Sequence, residues 1–245
     1  MNGFLLIDKP EGPTSHDIID AVRRKTGEQR VGHAGTLDPF ASGLLIVGVG
    51  REATREMQKL VGLDKTYEAV FVLGASSDTD DKTGKITLVP PQEPLTQERV
   101  QEAIKQFIGE IEQTPPVYSA IKIGGKKMYE AAREGKPMEA KARKIKIYSV
   151  SNIVIARRNE MTTKQSPCNS EIAPAIQQAH GLAMTVELII SCSSGTYIRA
   201  IARDLGQVLG TGGYVESLRR TKIGPFDISE FSESIIPINA FLSRL

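Results

Sequence analysis

With 245 residues, 40% of them hydrophobic and 24% charged, the chain has ample apolar content for a proper core, which excludes a disordered or fibrous protein and leaves one large domain or two small ones. The opening MNGFLLIDKP places Asp8 and Lys9 too early for a signal sequence, and the longest apolar run, GLLIVGVG, is far short of a membrane span, so a soluble, cytoplasmic protein is expected. The net charge of +2 hides an uneven distribution: between Lys122 and Lys146 nine Lys or Arg stand against three Glu, a basic segment on a mildly acidic body.

Taken in order, residues 4–8 (FLLID) predict a strand. Residues 14–27 predict a short helix with Thr14 or Ser15 as N-cap, Ile18, Ile19 and Val22 on one face, and Gly27 just past its end. The unbroken apolar run at 43–50 reads as a strand buried on both faces. A helix follows over 51–61, with Met57, Leu60 and Val61 inward and Arg51, Arg55 and Lys59 outward. Residues 66–74 (TYEAVFVLG) predict a strand rich in aromatic and β-branched residues, and SSDTDDKTGKI after it has turn chemistry throughout. The clearest helical period spans 96–110, through Val100, Ile104, Phe107 and Ile108.

The stretch QTPPVYSAIKIGGKKMYEAAREGKP is too polar and punctuated to be core and runs into the basic segment. Strands are predicted at 144–156 and 182–194, separated by a surface excursion at 157–181. A helix at 196–210 and a strand at 221–229 close the chain. Without a repeating βαβ rhythm, the fold class is α+β: a mixed, largely antiparallel central sheet flanked by helices. One domain is expected over 1–245, with an insertion at about 114–146.

Cys168 and Cys192 form no C-x-x-C pair and have no clustered histidines, which argues against a zinc site or a disulfide framework. GVGREATR lacks the G-x-x-x-x-G-K-[ST] pattern of a phosphate loop. Asp38 is the first candidate for chemistry. Pro39 biases it away from helical dihedrals, and it sits on a Gly-flanked loop leading straight into the buried strand, although in isolation an Asx turn at an Asp-Pro pair is the better explanation. His33, Tyr67, Tyr197 and Arg199 stand near it or in separate stretches, and each also has an ordinary structural reading. An arginine in need of a partner and a carboxylate to be held ionised would complement one another. The basic segment fits an electrostatic footprint for nucleic acid as well as a solvated face.

The blocks GHAGTLDPFASGLLIVGVGREATR, KTYEAVFVLGASSDTDD, QTPPVYSAIKIGGKKMYEAAREG, SCSSGTYIRAIARDLG and LRRTKIGPF resemble, in this order, motifs of the TruB family of pseudouridine synthases. The resemblance runs through nearly the whole chain. It implies the pseudouridine synthase fold and isomerisation of uridine 55 in the T loop of tRNA. Substrate and product are isomers, so neither a cofactor nor a metal is implied. Asp38 takes the family's catalytic aspartate, acting either on C1′ or through a glycal, and Arg199 the arginine that pairs with it. Tyr67 takes the tyrosine that stacks on the target uracil and is a candidate base for the C5 proton, although an ordinary phenol is a poor base at neutral pH. Tyr197 and Leu218 line the same pocket.

His33 is assigned to holding the RNA open after the base is flipped, because stacking offsets part of the cost of extrusion. The basic segment with Lys126 and Lys127 matches the RNA-clasping insertion that closes over the T arm, and Gly124 and Gly125 would let its backbone approach phosphates. The expected partner is tRNA, with no membrane association and a monomeric chain. The family's C-terminal PUA domain has no evident counterpart before the end at PINAFLSRL. A tRNA-binding or folding module without turnover, or a synthase acting on another RNA, would use the same clasp and aromatic residues.

Overall fold

The computed structural model describes residues 2–138, 140–157 and 183–245. Apart from Arg157, which ends a strand, the excursion expected at 157–181 lies outside the described residues. In chain order the elements are β1 (Gly3–Lys9), α1 (Ser15–Thr26), β2 (Val31–Ala34), β3 (Ser42–Val49), α2 (Arg51–Val61), β4 (Lys65–Leu73), β5 (Ala75–Ser77), β6 (Ile86–Leu88), α3 (Gln97–Lys105), β7 (Gly109–Gln113), β8 (Lys122–Ile123), β9 (Lys126–Lys127), α4 (Met128–Arg133), β10 (Arg143–Arg157), β11 (Met184–Cys192), a helix over Ile198–Leu209, β12 (Gly213–Ile223), β13 (Phe226–Asp227), β14 (Ser232–Ile236) and a helical turn over Ile238–Leu242. No helix among the described residues is long and apolar enough to cross a membrane.

These elements sort into two compact units. The first comprises Met1–Glu68, Ile190–Gly195 and Leu218–Leu245, the second Ala69–Ile189 and Thr196–Ser217. In the first unit β1 pairs antiparallel with β3 from Gly3↔Val49 to Lys9↔Gly43 and with β14 on its other side. β2 folds back on β3, while β12 joins β3 in parallel at Arg219↔Ser42 and Arg220↔Gly43. The apolar run of β3 follows from this position, because successive side chains point to opposite faces and both faces are covered. Leu44 and Ile46 enter a cluster with Phe4, Leu6, Ala53 and Phe226, whereas Leu45, Val47 and Val49 meet Ile19, Val22 and Val31. Each such buried Leu, Ile, Val or Phe side chain is worth about 1.5–3 kcal/mol.

Helix α1 begins at a capping box, with Thr14 accepting from the Asp17 N–H and Asp17 reaching back, and ends at Gly27 with φ 71°. That arrangement selects Thr14 as the cap and leaves Ser15 for another task. α2 turns Val61 outward, contrary to expectation, and buries Ala53 with Leu60.

The second unit carries the strand order β4–β11–β10–β7, with β10 and β7 antiparallel from Arg143↔Gln113 to Ile147↔Gly109. The helix Ile198–Leu209 buries Ile198, Ala200, Ile201, Ala202, Leu205 and Leu209. Gly206 lets it lie on the Gly212–Gly213 backbone, which a Cβ would overlap. α3 stops at Lys105, before the 110 expected, because Gly109 at φ 109° turns the chain into β7 and leaves Ile108 exposed. β12 begins at Gly213, ahead of the 221 expected. The stretch 113–137, read as lying outside the core, buries Gln113, Ser119 and Met128.

Candidate active site

The Asp38 loop fills the gap between β2 and β3. Their antiparallel pairing runs to Ala34↔Ile46, so residues 35–41 must turn and rejoin β3 at Ser42. The Ala41 N–H donates to the Asp38 carbonyl at 3.1 Å, and Leu37 and Phe40 are buried on either side. Two neighbours fix the loop further. Buried Ser15 donates from Oγ to the Leu37 carbonyl at 3.0 Å and accepts from the Leu37 N–H at 2.9 Å. The Gly12 N–H donates to the Pro39 carbonyl at 2.8 Å, and fully buried Lys9 donates from Nζ to the carbonyls of Pro10 and Pro13 at 2.8 and 2.9 Å, with Pro39 at 3.5 Å. Asp38 is thus flanked by two residues whose backbones are tied down. Ser15→Ala strands both Leu37 groups and is expected to cost about 2 kcal/mol, read as a lower urea midpoint at an unchanged m-value.

Arg220 holds the two ends of the loop. Its parallel register beside Gly43 buries it to 1% exposure. Nε donates to the Leu44 carbonyl at 2.8 Å and Nη2 to the Gly35 carbonyl at 3.0 Å. Position 43 requires glycine twice over, since its φ is 108° and a Cβ there would overlap the Arg220 backbone. Burial pushes the Tyr67 phenol above its ordinary pKa, against the pull of the Arg220 guanidinium. Tyr67 is therefore a neutral, buried ring at physiological pH, suited to stacking rather than to acting as a ready phenolate base.

Burial lowers the Lys9 ammonium and the Asp38 carboxylate opposes that shift. An ammonium in the field of a carboxylate favours the carboxylate's ionised form. His33, on β2, is lowered by burial, then by Arg220 and His16, so its imidazole is neutral at neutral pH, and its Nδ1 is buried without a hydrogen-bond partner among the described residues.

The first unit therefore holds Asp38, His33, Tyr67 and Leu218, the last buried on β12 two residues before Arg220. Lys9, Ser15 and Arg220 join them and were missed by sequence reasoning. For Arg220 a signal existed: alternation along Leu218-Arg219-Arg220-Thr221 puts the second arginine on the face of Leu218.

The second unit holds Tyr197, Arg199, Lys126 and Lys127. Tyr197 is the N-cap residue of the helix Ile198–Leu209, clamped by Gln113, which donates to its carbonyl at 3.0 Å and accepts from its N–H at 2.8 Å. Arg199, expected to pair with Asp38, belongs to the other unit from it. Within its own unit it lies 3.5 Å from Asp81 and donates to the carbonyls of Thr79 and Tyr118, both at 2.9 Å. Lys126 and Lys127 form β9, joined to β8 through Gly124 and Gly125 with φ of 60° and 86°, the primed turn that glycine permits. Lys126 pairs with Glu134, while Lys127 donates to the Tyr129 hydroxyl at 3.1 Å and lies 3.6 Å from Glu130. Tyr129, a further residue not singled out from sequence, has Lys127 and Arg133 within 5.3 and 5.5 Å of its ring centroid.

Comparison with known proteins matches residues 23–198 to the model of the TruB family pseudouridylate synthase (N terminal domain) and 199–235 to that of the tRNA pseudouridylate synthase B C-terminal domain. A tRNA pseudouridine synthase B of Mycobacterium sp. (strain KMS) is 41% identical over 93% of the chain and 69% of its own length. One of Arthrobacter sp. (strain FB24) is 39% identical over 94% of the chain and 68% of its own length. Among solved structures, a chain of a Cbf5-Nop10-Gar1 complex superposes with a TM-score of 0.62 at 27% identity, covering 97% of this chain and 52% of that one. The chain thus spans about two thirds of these curated relatives and about half of the solved chain.

Proposed function

The chain belongs to the TruB family of pseudouridylate synthases, and we propose that it isomerises uridine 55 in the T loop of tRNA to pseudouridine, with Asp38 as the residue that makes the glycosidic chemistry possible. The observation that carries this reading is the fixation of the Asp38 loop: Ser15, Gly12 and Lys9 tie the backbone on either side of the aspartate, and Arg220 ties the loop ends. A reacting carboxylate gains from such a frame, because its geometry is set before substrate arrives.

In the proposed reaction the uridine is flipped out of the T loop and its ring stacks on Tyr67, with Leu218 lining the same pocket. Asp38, ionised, either attacks C1′ or assists loss of the C2′ proton. Either route breaks the C1′–N1 bond, with its electron pair leaving on uracil N1. The freed uracil turns and C5 bonds to C1′ as the Asp38 ester is displaced or the glycal regains its C2′ proton. The C5 proton then passes to solvent while N1 takes one up, so that product and substrate are isomers. Tyr197 and Arg199 keep the roles the family resemblance assigns them. A neutral His33 with an unpartnered Nδ1 suits a side chain that enters RNA, stacking with its ring and offering a polar edge. The chain is proposed to act as a monomer in the cytoplasm, on the T arm.

The basic hairpin supports RNA contact. With Lys126 and Lys127 both changed to Gln, the slope of log affinity against log salt for tRNA is expected to become shallower by about 2, one for each lost phosphate contact; filter binding across a salt series reads it. The proposed activity itself is tested by incubating unmodified tRNA with the chain and mapping pseudouridine by carbodiimide adduct formation and primer extension. A stop confined to position 55 supports the reading. Modification elsewhere, or none, contradicts it.

A further inference from the structure

Two arginines one turn apart on the helix Ile198–Leu209 reach the same two segments of their unit. Residues at i and i+4 share a helix face. Arg199 joins the Thr79 carbonyl to the Tyr118 carbonyl. Arg203 repeats the pattern, meeting the Asp80 carboxylate at 3.1 Å and donating to the Thr114 carbonyl at 2.9 Å. Each guanidinium therefore spans from the turn after β5 to the strip that leaves β7 for the basic hairpin.

That strip is bonded onward. The Ser119 carbonyl accepts from the Tyr129 N–H at 3.1 Å, the Ile121 carbonyl accepts from the Met128 N–H at 2.8 Å, and the Ser119 hydroxyl lies 3.4 Å from the Met128 sulfur. Lys126 and Lys127 immediately precede Met128. Pro115 and Pro116 follow Thr114, and their fixed φ transmits a displacement at Thr114 instead of absorbing it.

Asp80 carries unusual costs. It is a non-glycine residue at φ 61°, with its N–H donating to the Ser77 carbonyl and its carbonyl accepting from the Val215 N–H. Its side chain is 13% exposed. Burial pushes its carboxyl up to about 6, against the pull of Arg203 and Arg199 and alongside the push of Asp204. A plain turn would use glycine for the dihedral and a neutral side chain for the burial. Local strain and an expensive carboxylate at one residue mark a position kept for function.

We propose that Arg203 and Asp80 form a latch that positions the root of the RNA-clasping insertion and so sets affinity for RNA, without touching the isomerisation. The proposal rests on the pseudouridine synthase reading above. Both are positioning residues, since Arg203 acts on the lysines through Thr114 and the strip beyond it.

The test measures tRNA dissociation constants and single-turnover pseudouridine formation at saturating tRNA for wild type, Arg203→Met, Arg203→Lys and Asp80→Asn. Asparagine tolerates the left-handed backbone, so Asp80→Asn keeps the turn and serves even if Arg203→Met fails to fold. Arg203→Met and Asp80→Asn are each expected to raise Kd about tenfold, the change of one lost part-buried ion pair, with the saturating rate unchanged and Arg203→Lys intermediate. Kd of the wild type is also expected to rise as pH falls through about 6. There Asp80 takes up a proton while facing Arg199, Arg203 and Asp204 on the helix, Asp81 in its own turn and the Val215 backbone on β12. Asp80→Asn removes that dependence. An unchanged Kd in the variants overturns the latch, and a fall in the saturating rate at unchanged Kd overturns it by placing the pair in the chemistry. Wild-type chain that binds tRNA and forms no pseudouridine sinks the functional reading instead, while the Kd comparison still judges the latch.

Discussion

Asp38→Ala is expected to lower single-turnover pseudouridine formation by about 10⁴-fold or more, the scale seen when a group acting directly on the reacting bond is removed. Binding should survive. Asp38 is partly exposed and its loop is held through Leu37, Pro39, Gly35 and Leu44, none of which needs the carboxylate. RNA affinity is expected to hold or to rise slightly, since a negative charge facing a polyanion has gone. His33→Ala is the instructive comparison. If it stacks in the space the base leaves, its loss removes about 1–3 kcal/mol, or roughly 5- to 150-fold in rate, far from the Asp38 effect.

Arg220→Met is the second large effect, and it falls on stability first. The side chain is as buried as any in the core and donates to two carbonyls at opposite ends of one loop. Methionine fills similar space and donates nothing, so the Leu44 and Gly35 carbonyls lose that donor. Leaving each of these carbonyls without its donor costs about 1–3 kcal/mol, together a large part of the 5–15 kcal/mol a domain typically has. Urea denaturation should show a much lower midpoint. Arg220→Lys should rescue little, because a single ammonium cannot reproduce the planar fork that reaches both carbonyls. Activity should fall with Asp38 still in place, which separates a framing role from a chemical one.

What sequence made legible divides along a physical line. β3 announced itself because both faces are buried, so every residue from Gly43 to Val49 is apolar. α1 announced itself through local chemistry, Thr14 and Asp17 at one end and Gly27 at the other. Asp38 stood out as a carboxylate on a short loop before a buried strand, and the ordered motif blocks identified the family. The partners of the residues that hold Asp38 in place were not legible, because their work is long-range; for Arg220 the alternation with Leu218 gave the face but not the carbonyls it serves. Arg220 is inward because carbonyls 176 and 185 residues away need a donor, and its charge masked the first part of β12. Ser15 looked like one of two equal caps, yet its hydroxyl serves Leu37, 22 residues on. Asp81 lay in a stretch read only as turn, and its place beside Arg199 is likewise tertiary. The tail of α3 failed for the opposite reason: Ile108 keeps the helical period, but pairing with β10 takes the chain from Gly109 onward.

The measurement that bears most directly on the central claim is tritium release from tRNA labelled at uridine C5, with wild type and Asp38→Ala assayed side by side. Wild type is expected to release one equivalent per tRNA, mapped to position 55, and Asp38→Ala none above background. Release that persists in Asp38→Ala, or its absence in wild type that binds tRNA, would contradict that claim.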